Sequence, residues 1–497
     1  MPHLIHFLVG FFMYAVHADS SDLPTCPIWT YPSPPRNECV CGDSLQDTVI
    51  CNSEILTVQL TAKFFCSMIF NSNGVNTTLL GTCPYGNKQI LPKNFSISQI
   101  HEDSSLCSYY NRKGQHCGGC AENYTIPAFS YYLGCVNCKN YNNGWIKFTV
   151  AAFFPLTIFY IVVIIFRISV TSSSLNAFVL VNQIYASPPV IRHIYSNNLV
   201  SDPFHVSYFT QFCVQLFISI IAIWNLDFFR SWIGYICIYS SLNYQQVLLL
   251  EYAIGVYPVI LILFTFILVK LHDSFFFFFW LWRPFHRCLA LFRRQWNIHS
   301  YLVHALATFI VLSYVKILNT SFELLIPSQL YDMHRNHMLK AYWYYDGRVD
   351  MTSKGYIPFL VLALFMLLFF NVFPLALLAL YPFKCFQRFL NFCLSQNCRL
   401  VLKIYMDSFH GCYEDTTHDY RHFAILYLAV RFFHLLMSSV FTFDLYLPAA
   451  VLLFVLTLAL VAKFQPYKNK RNNTVDIIML LATISGYISL PRAHAQG

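Results

Sequence analysis

The sequence predicts an all-α polytopic membrane helix bundle of about eight spans, preceded by a small disulfide-rich ectodomain. Hydrophobic residues make up 57% of the 497 residues and charged residues only 11%, whereas ordinary soluble domains carry about 25% charged residues. Several apolar runs approach the ~20 residues that a helix needs to cross a bilayer. Eleven of the 18 cysteines lie between Cys26 and Cys138, ahead of the first such run. This density is typical of a segment that folds in an oxidising compartment.

The amino-terminal segment Met1–Ala18 has the pattern of a signal peptide. An apolar run from Phe7 to Val16 is followed by small residues that suit cleavage before Asp19. The run is too short to cross a membrane itself. We therefore expect cleavage, a plasma-membrane location and an extracellular amino terminus.

Residues 19–144 are predicted to form a cysteine-rich, glycosylated ectodomain of loops and short strands. The segment is rich in Pro, Asn, Ser and Cys and shows no helical period. Three N-x-S/T acceptor sites for N-glycosylation lie in it, at Asn76, Asn94 and Asn123.

A spaced cysteine motif closes this ectodomain: Cys117-Gly-Gly-Cys120 is followed, after fourteen residues, by Cys135-Val-Asn-Cys138. The spacing fits either a four-thiolate zinc site or two short-range disulfides. Behind a signal peptide disulfides are favoured, and all four cysteines are expected to be oxidised. The odd number of ectodomain cysteines leaves one over, and Cys237 in a later outer loop is its candidate partner.

The helix bundle is predicted over residues 145–490, and the abrupt ending SLPRAHAQG indicates a short, truncated tail at 491–497. The expected spans are Trp145–Phe166, Tyr208–Trp224, Val247–Val269, Tyr301–Leu318, Ile357–Leu380, Phe423–Val440, Leu447–Ala462 and Val475–Leu490.

One further apolar run, Leu175–Ala186, is too short to cross and carries Asn176 and Gln183. These features suit an interfacial or re-entrant segment. If the run does not cross, the basic loops Lys270–Arg294 and Lys463–Arg471 fall inside the cell, and if it crosses they fall outside. The positive-inside rule therefore favours eight spans, with nine as the alternative.

Charged residues inside the predicted spans are costly unless they face protein or water. Glu251 lies about five residues into a span that enters from outside, and Lys316 lies about fifteen residues along the next span, so both reach the outer third of the bilayer. We expect them to pair, because consecutive spans usually pack side by side. The alternative is that Lys316 snorkels to the interface while Glu251 bonds to Tyr or Ser neighbours.

Arg431 lies near the middle of its span, three residues before His434 on the same helix face. Glu251 and Asp476 are the nearest acids in the predicted bundle. The arrangement predicts either a buried pair or carbonyl clamp that holds helices together, or part of a polar path.

The sequence contains no motif of a known catalytic class, no GxSxG, HExxH, P-loop or kinase signature, so we expect a protein that is not an enzyme and needs no cofactor. The net charge of +9 is explained by basic inner loops facing anionic lipid. The lipid bilayer is therefore the expected partner, and nucleic acid is not.

Five segments together resemble a family of multi-spanning membrane proteins of early-branching animals, of uncharacterised activity, that carry cysteine-rich, receptor-like ectodomains. The segments are HCGGCAENYTIPAFSYYLGCVNC, NLDFFRSWIGYICIY, HALATFIVLSYVKIL, YYDGRVDMTSKGYIPFLVLALFML and KFQPYKNKRNNTVDIIMLL. They cover roughly Cys117 to Leu480 in order. The resemblance implies a plasma-membrane setting and no specific activity. This chain departs from the family in its compact ectodomain, which lacks a long repeat array.

Two functions of different class remain open from the sequence. The glycosylated cysteine module favours a cell-surface protein with a receptor- or adhesion-like ectodomain that contacts an extracellular ligand or protein partner. The alternative is an ion channel or transporter, which polar residues inside the spans and the short segment Leu175–Ala186 favour. A membrane enzyme is a third class, without a supporting motif.

Overall fold

The computed structural model describes residues 119–126, 135–138, 143–171, 173–185, 223–228, 236–238, 242–274, 298–328, 330–331, 342–343, 346–413, 419–440 and 443–489, together with short strands between residues 30 and 113. Its helices are α1 (Gly144–Phe166), α2 (Ser173–Tyr185), α3 (Tyr244–Ser274), α4 (Ile298–Leu325), α5 (Ile357–Leu380), α6 (Lys384–Cys393), α7 (Gln396–His410), α8 (Leu426–Val440), α9 (Phe443–Phe464) and α10 (Lys470–Ser489). Single 3₁₀ turns precede α3 at Ile223–Asn225 and α8 at Arg421–Ile425.

Among the described residues, six helices are long and apolar enough to cross a membrane. They are Gly144–Phe166, Tyr244–Leu268, Ser300–Leu325, Ile357–Leu380, Arg421–Val440 and Leu445–Phe464. The structure thus confirms the predicted class, a mostly helical polytopic membrane protein. Of the two other predicted spans, Tyr208–Trp224 lies outside the described residues apart from its end. Val475–Leu490 overlaps α10 as far as Ser489, and Leu490 lies outside the described residues.

Helix α4 lies at the centre of the bundle, where it packs against α3, α5, α7 and α8. In its spanning window 78% of the residues are buried, against 22% to 50% in the other five candidate spans. Small buried side chains such as Ala305, Ala307 and Ser313 let the neighbouring helices approach closely. This helix is the scaffold on which the buried polar groups are arranged.

The peripheral helices α1, α5 and α9 present large apolar side chains outward. Phe154, Phe365 and Leu452 are between 56% and 62% exposed. A continuous apolar surface of this kind is unfavourable in water and is accommodated by the hydrocarbon of a bilayer. The outer faces of these helices therefore contact lipid.

Helix α5 contains a π-helical segment over Leu367–Val372. The wider turn carries Asn371, which is fully buried and donates a hydrogen bond from Nδ2 to the Tyr314 carbonyl of α4 at 2.8 Å. Such π segments arise where one residue is accommodated within an α-helix, and they are frequent at functional sites. Here the segment ties a lipid-facing span to the central helix.

The carboxyl-terminal end of α1 contacts α4 through Arg167. This residue ends the helix in the left-handed conformation, with φ 54°, and its guanidinium carbon lies 4.1 Å from the centre of the Tyr301 ring. The cation–π contact is favourable for a guanidinium over an aromatic face.

The strands are short and antiparallel: β1 (Thr30–Ser33), β2 (Glu38–Cys41), β3 (Val49–Asn52), β4 (Thr57–Leu60), β5 (Phe65–Ser72), β6 (Val75–Thr82), β7 (Phe95–Ser96), β8 (Arg112–Lys113), β9 (Gly119–Cys120), β10 (Tyr124–Thr125), β11 (Val136–Asn137), β12 (Pro327–Ser328), β13 (Leu330–Tyr331), β14 (Tyr342–Trp343) and β15 (Asp346–Asp350). They form sheets of two or three strands, of which β5–β6 is the longest hairpin. Strand β13 pairs with β6, so the chain between α4 and α5 contacts the amino-terminal region.

Covalent and strand contacts fix which loops share a side of the membrane. Cys138, just before α1, is disulfide-bonded to Cys237, just before α3. Both therefore lie on one side, which we call the amino-terminal side, and an even number of crossings separates them.

Helix α2 is too short to cross a bilayer by itself. Its 13 residues reach about 20 Å, whereas the hydrocarbon core is about 30 Å thick. It packs inside the bundle against α8 and α10. Residues 186–222, which follow it, lie outside the described residues.

On the opposite side, the loops that flank the α8–α9 pair are joined. Tyr413 and Tyr467 form an isolated antiparallel bridge, and their rings stack with centroids 5.0 Å apart. The Lys468 amide also donates to the Cys412 carbonyl at 3.2 Å. This closure agrees with α8 and α9 crossing as a helical hairpin.

Helix α10 runs antiparallel to α9 along its length. Near its start Asn473 bonds to the Tyr467 carbonyl, and near its end Tyr487 bonds to Tyr446. The helix is nevertheless not among the six candidate spans.

Candidate functional site

Three charged side chains, two on helices and one in a turn, form an ion cluster toward the amino-terminal side of the bundle. The Lys316 ammonium contacts Asp227 Oδ1 directly and lies 3.8 Å from Glu251 Oε2. The Thr320 hydroxyl, one turn further along α4, donates to the Lys316 carbonyl at 2.9 Å and lies 3.4 Å from the same Glu251 oxygen. All three charged side chains are at most 6% exposed. A cation and carboxylates brought together in this way offset each other's cost of leaving water.

Helix geometry explains why Glu251 and Lys316 meet. Glu251 lies near the start of α3 and Lys316 near the end of α4, and these antiparallel helices pack together. The sequence-based alternative, in which Lys316 snorkels to the interface, is not what the structure shows, because Lys316 is buried.

Sequence reasoning missed the closer partner, Asp227. It follows a 3₁₀ turn and a buried Leu226 with φ 60°. The left-handed conformation costs a non-glycine residue about 1 kcal/mol or more. The turn directs the chain so that Asp227 faces Lys316. Helical periodicity does not apply to such a turn, so the depth of Asp227 in the membrane could not be predicted from the sequence.

Arg431 occupies a second site, made entirely of neutral acceptors. Its Nε donates to Gln183 Oε1 at 2.6 Å, and its terminal nitrogens reach Asn176 Oδ1 at 3.0 Å and the Tyr427 carbonyl at 3.1 Å. The side chain is 1% exposed. No described carboxylate, Glu251 and Asp476 included, lies within ion-pair distance of Arg431. The alternative prediction of a clamp describes the observed contacts.

The amides that hold Arg431 come from the short helix α2. Asn176 and Gln183 are seven residues apart, which places them on one helix face. The Gln183 Nε2 group then donates to the Trp224 carbonyl at 2.8 Å and approaches the Leu312 carbonyl at 3.3 Å. The seven-residue spacing of two amides in an apolar run was the available sequence signal.

Tyr427 extends the network toward the opposite side. Its backbone carbonyl accepts from Arg431, while its hydroxyl donates to Asp476 Oδ2. Asp476 is fully buried, and its other oxygen has no hydrogen-bond partner among the described residues. Tyr427 therefore separates a buried cation from a buried acid.

These clusters are contiguous, since Leu312 and Lys316 are one turn apart on α4 and Tyr427 and Arg431 one turn apart on α8. We call them the polar column, with the members Asn176, Gln183, Asp227, Glu251, Lys316, Tyr427, Arg431 and Asp476.

His434 belongs to a separate cluster, although it shares a helix face with Arg431. Its Nε2 lies 2.6 Å from the Tyr446 hydroxyl and 2.7 Å from the Tyr487 hydroxyl. The two hydroxyls are 3.0 Å apart. This buried triad joins α8, α9 and α10.

A serine–histidine pair lies near the start of α4, where Ser408 Oγ is 2.6 Å from His304 Nδ1. Ser408 also donates its hydroxyl proton to the Ile404 carbonyl at 2.9 Å. In that arrangement Ser408 accepts a hydrogen bond from His304. The pair joins α4 to α7.

The cysteine motif does not form two disulfides within residues 117–138, because one of its bonds leads to a distant cysteine. Cys120 is bonded to Cys135, while Cys138 is bonded to the distant Cys237. Cys117 lies outside the described residues. The sulfurs of the three described motif cysteines are in disulfides, which leaves none of them as a thiolate for zinc.

The three predicted glycosylation sites are described to different extents. Asn123 is exposed in a tight turn with φ 63°, a conformation that Asn tolerates well. Asn76 lies in β6, opposite Asn71 of β5. Asn94 lies outside the described residues.

Comparison of the chain with protein-family models, with curated proteins and with solved structures gave no match in any of the three. The fold and the buried polar column define the class, a polytopic membrane protein, from the chain's own chemistry.

Proposed function

We propose that this chain is a cell-surface, receptor-like protein whose disulfide-bonded ectodomain is coupled to the polar column. One observation carries the proposal. The linker of residues 223–238 holds Cys237, which is bonded to Cys138, and also supplies Asp227 to Lys316. A displacement of the ectodomain would therefore act on a buried ion pair through ten residues of chain.

The same linker contacts the second site. Its Trp224 carbonyl accepts from Gln183, and Gln183 holds Arg431. Tyr427 then connects Arg431 to Asp476 near the opposite side. We therefore infer that contacts along the polar column couple the two sides, as networks of hydrogen bonds and packed side chains can.

The distribution of cysteines supports an extracellular amino terminus. The described disulfides all lie on the amino-terminal side, whereas Cys385, Cys393 and Cys398 are free thiols. Three candidate spans, α3, α4 and α5, separate Cys237 from this thiol-bearing loop. Disulfides persist outside the cell and thiols persist in the cytosol, so we assign the loop to the cytoplasm and the ectodomain, with its ligand or protein partner, to the cell surface.

The half-buried thiol of Cys412 provides a test of coupling, because its loop contacts Lys468 on the cytoplasmic side. Breaking the Cys138–Cys237 bond with paired Ser substitutions should change the alkylation rate of Cys412 several-fold, as measured by peptide mass spectrometry. The exposed Cys398 serves as internal rate reference.

The matched control is the Cys120→Ser/Cys135→Ser variant, which removes a local disulfide that does not involve the linker. Its Cys412 rate should equal that of the parent protein. Equal Cys412 rates in all three proteins would contradict coupling through the linker.

The second candidate is an ion channel or transporter. The specific observation in its favour is the buried Asp476, whose Oδ1 has no hydrogen-bond partner among the described residues. Buried acids in spans often mark proton or ion paths. Purified protein in liposomes with an ion-flux assay tests this function. Flux that is abolished by Asp476→Asn, in a variant that remains folded, would favour transport over the receptor function.

A further inference from the structure

Helix α6 is a short amphipathic helix with an apolar face that the protein leaves uncovered. Not one of its residues is buried. Phe389 is 59% exposed and Phe392 is 91% exposed. Side chains of this size are rarely left in water on a folded protein unless they contact a partner or a membrane.

The residues of α6 divide into two faces when they are placed at 100° per residue. The apolar arc of about 160° contains Cys385, Phe386, Phe389, Leu390, Phe392 and Cys393. The opposite arc contains Lys384, Gln387, Arg388 and Asn391. A helix with aromatic residues on one face and basic residues on the other suits the boundary of a bilayer.

The position of α6 in the chain identifies the bilayer as what covers this face. The candidate span α5 ends at Leu380, and α6 begins at Lys384. Four residue steps reach at most about 14 Å. The helix therefore starts where the span leaves the hydrocarbon, and Lys384 and Arg388 can face anionic headgroups.

Both cysteines of α6 lie on the apolar face, and both are exposed free thiols. They are eight residues apart, which is about 12 Å along the axis. Phe389 lies midway between them. Cysteines in this setting, on an amphipathic helix next to a span, are suited to attachment of fatty acyl chains.

We infer that α6 lies in the cytoplasmic boundary of the bilayer and that Cys385 and Cys393 are S-acylated by long-chain fatty acids. The thiol sulfur attacks the carbonyl carbon of a long-chain acyl thioester such as a fatty acyl-coenzyme A. A new carbon–sulfur bond forms, the bond to the carrier sulfur breaks, and the carrier leaves as a thiol that takes up the cysteine proton. No oxidant or reductant is required.

The two acyl chains would enter the same leaflet on either side of Phe389. The spans already hold the protein in the membrane, so acylation would fix α6 itself to the surface. Helix α7 follows after Leu394 and Ser395 and packs against the central helix α4. Reversible acylation of α6 would thereby regulate the position of α7, which contacts the central helix α4.

The test is acyl exchange on the full-length protein expressed in animal cells, with hydroxylamine to release thioester-linked chains. The parent protein should carry two such chains. Cys385→Ser or Cys393→Ser should each lose about half of the signal, and the double variant should lose the signal from both positions. An unlabelled parent protein, or a double variant with unchanged labelling, would overturn the inference.

Two further variants make the result specific. Cys398→Ser removes an exposed thiol of the same loop that lies on α7, and its labelling should match that of the parent protein. Phe389→Glu/Phe392→Glu keeps both cysteines but disrupts the apolar face, so acylation should fall several-fold. Loss of label in Cys398→Ser alone would place the modification elsewhere and reject the assignment.

This inference rests on the cytoplasmic orientation of the loop that is part of the proposed function. A membrane-impermeant maleimide applied to intact cells distinguishes the two. Reaction of Cys398 before permeabilisation would reject the orientation. Protection of Cys398 together with an unacylated Cys385 and Cys393 would reject acylation alone.

Discussion

Lys316 is the single residue whose replacement should cost the bundle most, because it lies between Asp227 and Glu251 in a buried site. Lys316→Met leaves those two carboxylates close together without the ammonium. We expect a loss of about 3–5 kcal/mol in the free energy of unfolding, measured by chemical denaturation in detergent.

Glu251→Gln is the informative partner substitution. It should be milder alone, since Asp227 is the closer contact, and it should recover part of the Lys316→Met loss when the two are combined. Strictly additive losses would remove the case for an energetic interaction between Glu251 and Lys316.

His410 gives a prediction for pH dependence. It lies outside the candidate spans at the end of α7, stacked on Tyr381, and its Nε2 has no hydrogen-bond partner within the described part of the chain. Burial, assisted by the Arg421 charge, lowers its pKa from 6.5 to about 4, although Asp419 acts in the opposite direction. The unfolded chain therefore binds a proton more readily than the folded one below pH 6.5.

Folding stability should fall as pH drops from about 6.5 toward 4, and this residue should account for about 2 kcal/mol by pH 5. His410→Phe keeps an aromatic ring against Tyr381 and removes the titration. Its unfolding free energy should change less than that of the parent protein between pH 7 and 5. Identical pH slopes for the two proteins would show that His410 does not titrate on unfolding.

What the sequence could predict at this scale depended on helix periodicity. The depth of Glu251 and Lys316 follows from their positions in long apolar helices, and the structure places their charged groups 3.8 Å apart. Asp227 could not be placed, because it follows a turn whose direction depends on Leu226. For Arg431 the sequence left a buried pair, a carbonyl clamp and a polar path open, and the structure shows a guanidinium bonded to amide and backbone oxygens.

At the scale of elements, the start of α1 is defined by its contact with the linker 223–238. A Cβ added at Gly144 would lie 1.7 Å from the Cys237 carbonyl oxygen and 2.9 Å from its carbon. These are backbone atoms of a disulfide-bonded residue, so they cannot move aside as a side-chain end would. Position 144 therefore has no room for a side chain and requires glycine.

Gly144→Ala should therefore destabilise the protein by about 1–3 kcal/mol or more, as overpacking does, and should reduce formation of the Cys138–Cys237 disulfide in non-reducing peptide mapping. Gly355→Ala is the matched control, because a Cβ there meets nothing within 4 Å. It should leave stability within about 1 kcal/mol of the parent protein. Equal effects of the two substitutions would contradict the packing argument.

The short helix α2 shows how far an element could be predicted. Its length and polar residues indicated a segment that does not cross, and the described helix of 13 residues is too short to do so. Its role could not be predicted, because Asn176 and Gln183 bind Arg431 only once α8 packs against α2 in the folded protein. A polar residue in an apolar run indicates a buried partner without identifying it.

At the scale of the whole molecule, the structure joins a disulfide-bonded surface region and a buried charge network through one short linker. Disulfides usually stabilise by restricting the unfolded chain. In a membrane protein the inserted helices already restrict the unfolded chain. The Cys138–Cys237 bond, with a sequence separation of 99 residues, should therefore stabilise the folded protein mainly by positioning the linker. Asp227 is the linker residue on which this effect should be measurable.

A double-mutant cycle between Cys138→Ser/Cys237→Ser and Asp227→Asn measures that effect. If the disulfide positions Asp227 against Lys316, removing it already weakens the ion contact, and the added substitution should cost less than it does in the parent protein. We expect an interaction energy of about 0.5–3 kcal/mol in unfolding free energy. The control cycle pairs Asp227→Asn with Cys120→Ser/Cys135→Ser, whose losses should add within about 0.5 kcal/mol, because that disulfide closes a local loop of sequence separation 15. Additive losses in both cycles would mean that Asp227 is held independently of the ectodomain, and the route from the cell surface to the polar column would then have to run through another contact.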